Sequence, residues 1–449
     1  AAVLLAAGAS WIVALGVIFV ALTLAGTPIV FMLLIVGIIA FLPSFLGLEF
    51  FPSPNPLVPF STTQSNMGLT SGPELIVILM FLVTAEVLNA SGMSARLIGF
   101  AAAVVGHLRG GMAYVCQLTS LVVSGISGSA QADAAIMTPL LVPAMEREGY
   151  RRDVAAAVVA GASIKGPIGP ISIMFIVYGV VAIPPVSIQK LLLSGVFAVI
   201  LLFLFQAATV YVVVRRLGFL KKRRFAGWTV VGHTGLGALP VLAIPFIILG
   251  GYFSGVFTLY ESGAVAAVVA IAMAMFGYAS LAPRQLPGAL VLAAIETGIV
   301  MLLLGDSAIL GKALFLDRFG ESLEEFFTGI TDNKYVFLLV VNLLLLAVGI
   351  FLEPLPALYI LAPFIAATAV NDFGVNPTQF GLIMVFNLVL ALIHPPIGLV
   401  LFLVSSIAKV SVERLSIMIL PWLAVSLVVL FLVTYLPSEV VLWFANKYG

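Results

Sequence analysis

Two distant stretches of the sequence carry the same landmarks in the same order. The first, AIMTPLLVPAMEREGYRRDVAAAVVAGASIKGPIGPIS, runs from Ala135 to Ser172, and the second, YILAPFIAATAVNDFGVNPTQFGLIMVFNLVLALIHPPIG, runs from Tyr359 to Gly398. Each reads as a short helix with a proline, a polar turn around Gly149 or Gly374, an apolar helix and a Gly/Pro break. Interrupted apolar segments at matching places in two halves predict a repeat-built transporter with a binding site near the membrane midplane. The alternative is that these residues only kink packed helices.

The chain around these repeats is too apolar for a water-soluble protein. Of its 449 residues, 62% are hydrophobic and 9% are charged, and the mean hydropathy is +1.24. Soluble domains are about half apolar and about a quarter charged, so a cytosolic enzyme and a disordered scaffold are excluded. The net charge of +1 provides no electrostatic footprint for nucleic acid. At roughly 20 residues per crossing, the length allows about 10 to 13 spans. We therefore predict an all-α polytopic membrane protein.

Cysteine and histidine usage narrows the chemistry further. The single cysteine, Cys116, excludes a disulfide framework, and with three scattered histidines it gives no transition-metal ligand spacing. No Gly-rich loop is followed by the lysine and hydroxyl residue of an ATP-driven motor. We therefore expect no cofactor other than a coupling ion, Na⁺ or H⁺.

The densest positive charge gives the orientation of the chain. Six of the 20 basic residues fall within ten positions, namely Arg215, Arg216, Lys221, Lys222, Arg223 and Arg224. The positive-inside rule puts this segment in the cytoplasm, and a lipid-binding patch is the alternative interpretation. We divide the chain into a first half at residues 28–214, a basic cytoplasmic loop at residues 215–228 and a second half at residues 236–437.

Small and polar residues precede each repeat. The first run, SGISGSAQAD, extends from Ser124 to Asp133, and the second, LLLGDSAILG, extends from Leu302 to Gly311. Small residues permit a tight re-entrant turn whose backbone groups are free to face a ligand. Helix N-termini favour an anion, whereas unwound carbonyls favour a cation. The pattern predicts co-transport of an organic anion with Na⁺ or H⁺.

Eight motifs, in order along nearly the whole chain, resemble those of the large membrane subunit of tripartite ATP-independent periplasmic (TRAP) transporters. They are GTPIVF (26–31), LRGGMAYV (108–115), SGISGSA (124–130), VPAMEREGYRRDVAAAV (142–158), SIMFIVYG (172–179), FTLYESGAVA (257–266), FLEPLPALYILAP (351–363) and VNPTQFGLIMVFNLVLALIHPPIGLVLF (375–402). The resemblance implies an inverted-repeat, elevator-type member of the ion transporter superfamily, in which two re-entrant hairpins and two broken helices move against a scaffold. It also implies a small membrane subunit, a periplasmic substrate-binding protein, a small organic anion as substrate, Na⁺ coupling and a bacterial inner membrane location.

The resemblance also assigns site residues. It implies hairpin tips at Ser127–Ser129 and Gly305–Ser307, helix breaks at Gly166–Ser172 and His394–Gly398, and a site position at Asn387. The implied substrate residues are Ser127, Gly128, Ser129, Lys165, Ser172, Asp306 and Ser307. The implied cation residues are Ser127, Gly166, Gly169, Gly305, Asp306, Asn387, His394, Pro395 and Gly398.

Three ionisable residues at these predicted breaks and tips depart from the family pattern, namely Lys165, Asp306 and His394. Such residues are functional candidates because an unpaired charge at the bilayer centre costs at least about 2.5–3.5 kcal/mol. In one hypothesis Lys165 binds the acid group of the substrate or substitutes for a cation, with Asp306 as its partner or as a cation ligand. In the other hypothesis they form a buried structural pair. His394 is a packing residue or, because histidine titrates near physiological pH, a proton carrier.

The sequence thus predicts the large permease subunit of a secondary transporter that imports a carboxylate or sulfonate. Three rivals stay open: a symporter or exchanger of the same superfamily that needs no binding protein and is H⁺-coupled, a passive channel subunit, and an intramembrane enzyme. An enzyme needs a catalytic pair on facing spans, and the sequence offers none better than Lys165 with Asp306.

Overall fold

A computed structural model describes residues 11–45, 73–218, 224–278 and 280–448, and within these ranges the chain is helical with no β-strand. Three of the predicted basic-loop residues, Lys221, Lys222 and Arg223, lie outside the described residues. Arg215 and Arg216 belong to the last turn of a helix.

The first half of the chain contains ten helices within the described ranges. They are α1 (Trp11–Leu24), α2 (Ile29–Phe45), α3 (Pro73–Ala90), α4 (Ser94–Val105), α5 (Gly111–Val123), α6 (Ala130–Arg147), α7 (Arg152–Ser163), α8 (Lys165–Ile168), α9 (Ile173–Val181) and α10 (Ile188–Leu217). The described part of the second half contains twelve. They are α11 (Trp228–Phe253), α12 (Leu259–Ala272), α13 (Leu286–Leu316), α14 (Phe319–Ile330), α15 (Lys334–Val348), α16 (Pro354–Asn371), α17 (Pro377–Leu390), α18 (Leu399–Ala408), α19 (Val412–Met418), α20 (Leu420–Tyr435), α21 (Ser438–Val441) and α22 (Trp443–Tyr448).

Some of these helices are long enough to span a membrane, and others are too short. Among the described residues, 5 helices are long and apolar enough to cross a membrane, or up to 8 if each of three bent pairs counts as one span. One bent pair, Arg152–Ile168 with Ile173–Val181, turns by 41°. Most helices of the two repeats are shorter than a span, as expected for hairpins and broken helices.

The two repeats have matching helices, which confirms the repeat predicted from the sequence. In each, two helices form a hairpin, a turn follows, and a third helix breaks before a fourth begins. Pro139 and Pro363 are each the tenth residue of an 18-residue helix, α6 and α16. Gly149 and Gly374 both adopt a positive φ, 99° and 60°, in the turn that follows.

The structure contradicts the predicted position of the second hairpin tip. Gly305, Asp306 and Ser307 lie inside α13, a continuous helix of 31 residues. One glycine costs a helix only about 1 kcal/mol, and an apolar environment keeps the backbone hydrogen bonds closed. The tip is instead at residues 349–353, between α15 and α16. Pro354 supports a helix start there because its missing N–H needs no partner at the first helical position.

Packing divides the helices into two groups. In the first group, α1–α3 and α11–α13 pack against one another. In the second group, α5–α10 pack with α15–α20, so both repeats belong to one unit. Helix α4 contacts α5 and α11 and thus bridges the groups, while α13 lies against α16. We call the first group the scaffold and the second group the repeat unit.

The hairpins enter the membrane from opposite sides. Arg109 at the base of the first hairpin donates a hydrogen bond to the Gly218 carbonyl, beside the basic segment that the positive-inside rule assigns to the cytoplasm. From there α11, α12 and α13 each have the length of a membrane crossing. Three crossings bring the chain to the opposite side, where α15 begins the second hairpin. The two repeats are therefore inverted relative to each other.

Candidate functional site

A cavity of about 320 Å³ lies where both hairpin tips and the first helix break meet the scaffold. This is within the size range of small-molecule sites. Its walls include the first residues of three helices: Ala130, Gln131 and Ala132 of α6, Ile173 and Met174 of α9, and Pro354 and Leu355 of α16. The N-terminus of a helix carries partial positive charge and free N–H groups. No basic side chain of the described residues lines this cavity.

Two acidic side chains complete its wall. Glu296 belongs to scaffold helix α13, and Glu353 belongs to the second hairpin tip. A second cavity, of about 330 Å³, extends from the other face of that tip past residues of the second break to α2, and Glu353 lines it as well. The site therefore combines backbone groups suited to an anion with carboxylates suited to a cation.

The first hairpin tip lies directly on the first break. Gly128 has a φ of 60°, and a Cβ on it would lie 2.3 Å from the Ile171 carbonyl oxygen. Gly169 makes a similar approach, with a Cβ position 2.6 Å from the Ser124 carbonyl oxygen. Both positions require glycine, because the Cβ of any other residue would be too close to these carbonyl oxygens. The predicted tip at Ser127–Ser129 is thus brought against the predicted break.

Serine side chains fix the helix starts at this contact. Ser129 caps α6 by accepting a hydrogen bond from the Ala132 amide, at 3.3 Å. Ser172 caps α9 by accepting one from the Phe175 amide, also at 3.3 Å. The chain leaves α8 at Gly169, so the break is shorter than the predicted Gly166–Ser172 and Gly166 itself is helical. Of the predicted substrate residues, Gly128 and Ser129 line the cavity directly.

Asp133, which sequence reasoning missed, forms an oxygen cluster beside the tip. Its side chain is fully buried, and Oδ1 accepts a hydrogen bond from the Ser127 hydroxyl. Oδ2 has no hydrogen-bond partner in the described part of the chain. A Cβ on Gly166 would lie 3.0 Å from this oxygen and 2.9 Å from the Ser129 carbonyl oxygen. The available signal was that Asp133 is the one acidic residue in the run from Ser124 to Asp133.

Lys165 is fully buried and is directed away from the cavity. Its ammonium donates hydrogen bonds to the side-chain carbonyls of Gln117 and Gln206, both at 2.6 Å, and to the Ala162 carbonyl at 3.2 Å. Gln206 in turn donates to the Gly161 carbonyl at 2.7 Å. All three donors of the ammonium are therefore used. Lys165 joins α5, α7 and α10 and does not line the cavity.

Asp306 is not the partner of Lys165, so the predicted ion pair is absent from the described residues. Asp306 and Ser307 are buried in α13, and neither lines the cavity. Asp306 Oδ2 and Ser307 Oγ have no hydrogen-bond partner in the part of the chain that the structure describes. Gly305 beside them faces open space, because a Cβ on it would meet no described atom within 4 Å.

The second break carries a neutral polar network. Asn387 is fully buried and donates to Asn342, at 2.7 Å to the side-chain oxygen and 3.0 Å to the carbonyl. Asn342 donates to the Thr434 hydroxyl at 3.2 Å. These bonds join α17 to α15 and α20, so Asn387 lies behind the break and not in the cavity.

The predicted break at His394–Gly398 is non-helical, as expected. His394 and Pro395 are half-buried there, and a Cβ on Gly398 would lie 2.5 Å from the Leu392 carbonyl oxygen. The backbone therefore folds back on itself. Unwound backbone of this kind is tolerated at membrane depth only within protein or beside a cavity.

Comparison with known proteins agrees with this architecture. The sequence profile of the tripartite ATP-independent periplasmic transporter, DctM component, matches residues 16–438. The chain belongs to this family. It is a TRAP large permease, hence a transport protein, and the resemblance read from the motifs is confirmed.

Relatives of this permease differ in cargo. The chain is 33% identical over 366 residues to the C4-dicarboxylate TRAP transporter large permease protein DctM of Pseudomonas aeruginosa, covering 81% of this chain and 84% of that one. It is 30% identical over 421 residues to the sialic acid TRAP transporter large permease protein SiaM of Vibrio cholerae, covering 93% and 94%. It is 34% identical over 364 residues to the isethionate TRAP transporter permease protein DctMQ of Oleidesulfovibrio alaskensis, covering 81% and 57%.

The fold of the permease also occurs in a solved structure. The crystal structure of the Alcanivorax borkumensis YdaH transporter superposes with a TM-score of 0.60, covering 84% of this chain and 87% of that one. The sequence identity is 15%, so the likeness concerns the fold alone.

Proposed function

We propose that this permease imports a small organic anion, a carboxylate or sulfonate, through the bacterial inner membrane by an elevator movement driven by a Na⁺ gradient. A small membrane subunit supports the scaffold, and a periplasmic substrate-binding protein delivers the anion. The observation that carries the proposal is the cavity itself, where three helix N-termini converge beside an oxygen cluster.

The anion half of the proposal rests on backbone groups. The first residues of α6, α9 and α16 line the cavity, and the dipoles of these three helices favour a negative charge. The lining residues also offer backbone N–H groups, except Pro354, which has none. The capping serines, Ser129 and Ser172, hold the α6 and α9 starts in place. A carboxylate or sulfonate presents several acceptor oxygens to such donors, which supports these groups as the recognised end of the substrate.

The cation half rests on oxygen atoms at the first hairpin. Asp133, the Ser127 hydroxyl and the Ser129 carbonyl lie together beside Gly166. Hard cations prefer oxygen ligands of this type. We assign the first Na⁺ to this cluster and to the neighbouring break at Gly169. A second Na⁺ is assigned to the unwound backbone at His394–Gly398.

Two carboxylates explain why anion and cation travel together. An anion alone in the cavity meets Glu296 and Glu353, and like charges repel strongly where water is excluded. Bound Na⁺ offsets this repulsion. The loaded repeat unit then slides along the scaffold, where α13 lies against α16.

Uptake into proteoliposomes tests the proposal. The permease is reconstituted with its small subunit, and radiolabelled C4-dicarboxylate, sialic acid or isethionate is offered with the binding protein under a Na⁺ gradient or a pH gradient. We expect uphill accumulation that requires both Na⁺ and the binding protein. Accumulation without the binding protein would favour an independent symporter, and accumulation driven by pH alone would transfer coupling to H⁺. Equilibration without accumulation would indicate a channel.

A further inference from the structure

The two cytoplasmic connections between the scaffold and the repeat unit meet at one place. Residues 106–110 join α4 to α5, and residues 218–227 join α10 to α11. Arg109 on the first connection donates to the Gly218 carbonyl on the second, at 2.5 Å. A Cβ on Gly110 would lie 2.5 Å from a Val214 methyl group. The end of α10 is thus packed against the start of the first hairpin.

A cavity of about 490 Å³ opens beside this crossing. It is lined by Val104, His107, Phe225, Trp228 and Val231, and it shares no residue with the substrate cavity. The His107 ring contacts the Phe225 ring edge-on, with centroids 5.1 Å apart, and Phe225 contacts Trp228 in the same way at 5.4 Å. The Trp228 side chain is 81% exposed. An exposed tryptophan at the start of a spanning helix is typical of the headgroup level of a bilayer.

Among the described residues, His107 is the one polar side chain that lines this cavity, and arginines lie on the adjoining segments. His107 Nδ1 is buried and has no hydrogen-bond partner in the described part of the chain. Exposed arginines lie on the same two connections and on the end of α10, namely Arg109, Arg215, Arg216 and Arg224. Glu148, at the base of the hairpin, is buried and accepts a hydrogen bond from the Met112 amide.

We propose that this cavity binds an anionic phospholipid of the cytoplasmic leaflet. Its acyl chain packs against Phe225, Trp228 and Val231, and its headgroup phosphate lies among the guanidinium groups and His107. The apolar wall distinguishes this site from one for a free anion, because a soluble phosphate has nothing to bury there. Lipid binding at this cavity does not depend on the proposed transport function.

Trp228 provides the reporter for a direct test. The permease is reconstituted in phosphatidylcholine that contains either brominated phosphatidylglycerol or brominated phosphatidylcholine, and tryptophan quenching is measured. The Trp228→Phe variant isolates the signal of Trp228 from that of the other three tryptophans. We expect brominated phosphatidylglycerol to reach half-quenching of Trp228 at a mole fraction at least fivefold lower than brominated phosphatidylcholine, since each basic residue near an anionic surface contributes about that factor.

A charge-matched control tests specificity. The triple variant Arg215→Gln, Arg216→Gln, Arg224→Gln should abolish the preference. The control variant Lys190→Gln, Lys334→Gln, Lys447→Gln should keep it, because it removes three charges from other segments, namely the start of α10, the start of α15 and α22. Circular dichroism checks that both variants are folded. Equal quenching by the two lipids would overturn the proposal. So would a change in Trp228 emission that inorganic phosphate alone reproduces, because that result would assign the site to a free anion.

Discussion

The two repeats share a backbone plan but differ in what they bury. In the first, Asp133 and Lys165 are fully buried, one beside the hairpin tip and the other behind the break. In the second, the corresponding interior holds the neutral pair Asn342 and Asn387. Each tip also packs at its own break, but through different atoms. Gly128 approaches the Ile171 carbonyl within the first break, whereas a Cβ on Gly349 would lie 2.4 Å from the methyl carbon of Ala391, in the 3₁₀ turn just before the second break.

The two repeats thus have the same backbone arrangement but different buried side chains. A hairpin lying on a broken helix is a backbone arrangement that glycine and proline can build in either orientation. The charge content of each copy is set by a few side chains. In our proposal the first copy therefore holds its cation through a carboxylate, and the second copy holds its cation through backbone carbonyls alone. The following predictions test that asymmetry, from the largest expected effect to the smallest.

The largest effect is expected at the first tip. Gly128→Ala introduces a Cβ 2.3 Å from the Ile171 carbonyl oxygen and forces alanine into a left-handed conformation that costs roughly 1–2 kcal/mol. Tip and break must separate, so uptake in proteoliposomes should fall at least tenfold. Gly374→Ala is the matched control, because Gly374 has the same φ of 60° but no atom within 4 Å. Normal transport by Gly128→Ala would refute the contact as part of the mechanism.

Asp133 should control the response to the coupling ion. Asp133→Asn removes the negative charge from the first oxygen cluster while keeping its shape, so the Na⁺ concentration for half-maximal uptake should rise at least tenfold. Asp306→Asn, a change at a buried acid that does not line the cavity, should leave this Na⁺ titration unchanged. If Asp306→Asn raised this Na⁺ concentration and Asp133→Asn did not, the cation site would lie at Asp306, as the sequence predicted.

The buried lysine should be coupled to its glutamine acceptor. Gln117→Leu leaves the Lys165 ammonium with one acceptor fewer and should lower the thermal unfolding midpoint of the purified permease. In a Lys165→Met background, Gln117→Leu should lower the free energy of unfolding far less. The double-mutant cycle should therefore give a coupling free energy of about 1–3 kcal/mol between Gln117 and Lys165. An equivalent cycle between Asn342→Leu and Asn387→Leu should give about half that value, because charge-assisted hydrogen bonds are roughly twice as strong. Equal couplings would remove the contrast between the repeats.

The smallest effect is expected at Gly305, where the sequence predicted the second hairpin tip and the structure has a continuous helix. Gly305→Ala lies in a continuous helix with open space around it. Alanine is a better helix former by about 1 kcal/mol, so the unfolding midpoint should stay or rise slightly and uptake should remain within twofold. A loss of transport comparable to that of Gly128→Ala would mean that α13 opens at Gly305 during the cycle.

Sequence reasoning located what depends on local pattern. The class of protein follows from hydropathy, and the first tip and both breaks follow from clustered glycine, proline and serine. The second tip was predicted wrongly because the small and polar residues Gly305, Asp306 and Ser307 are typical of a turn. They are also tolerated inside a helix, and the apolar residues around them favour a continuous helix. The partners of Lys165 lie 48 and 41 residues away in Gln117 and Gln206, so no local pattern could reveal them.

The convergence of three helix starts on the cavity has a consequence for how cargo can change over evolution. Peptide N–H groups belong to every residue except proline, so a substitution at Gln131 or Met174 reshapes the cavity without removing its attraction for an anion. If the proposed function holds, affinity for negative charge is inherited with the fold, while the shape of the accepted molecule is free to change. A permease of this kind would exchange one acid for another in single steps, with each intermediate still able to bind its charge.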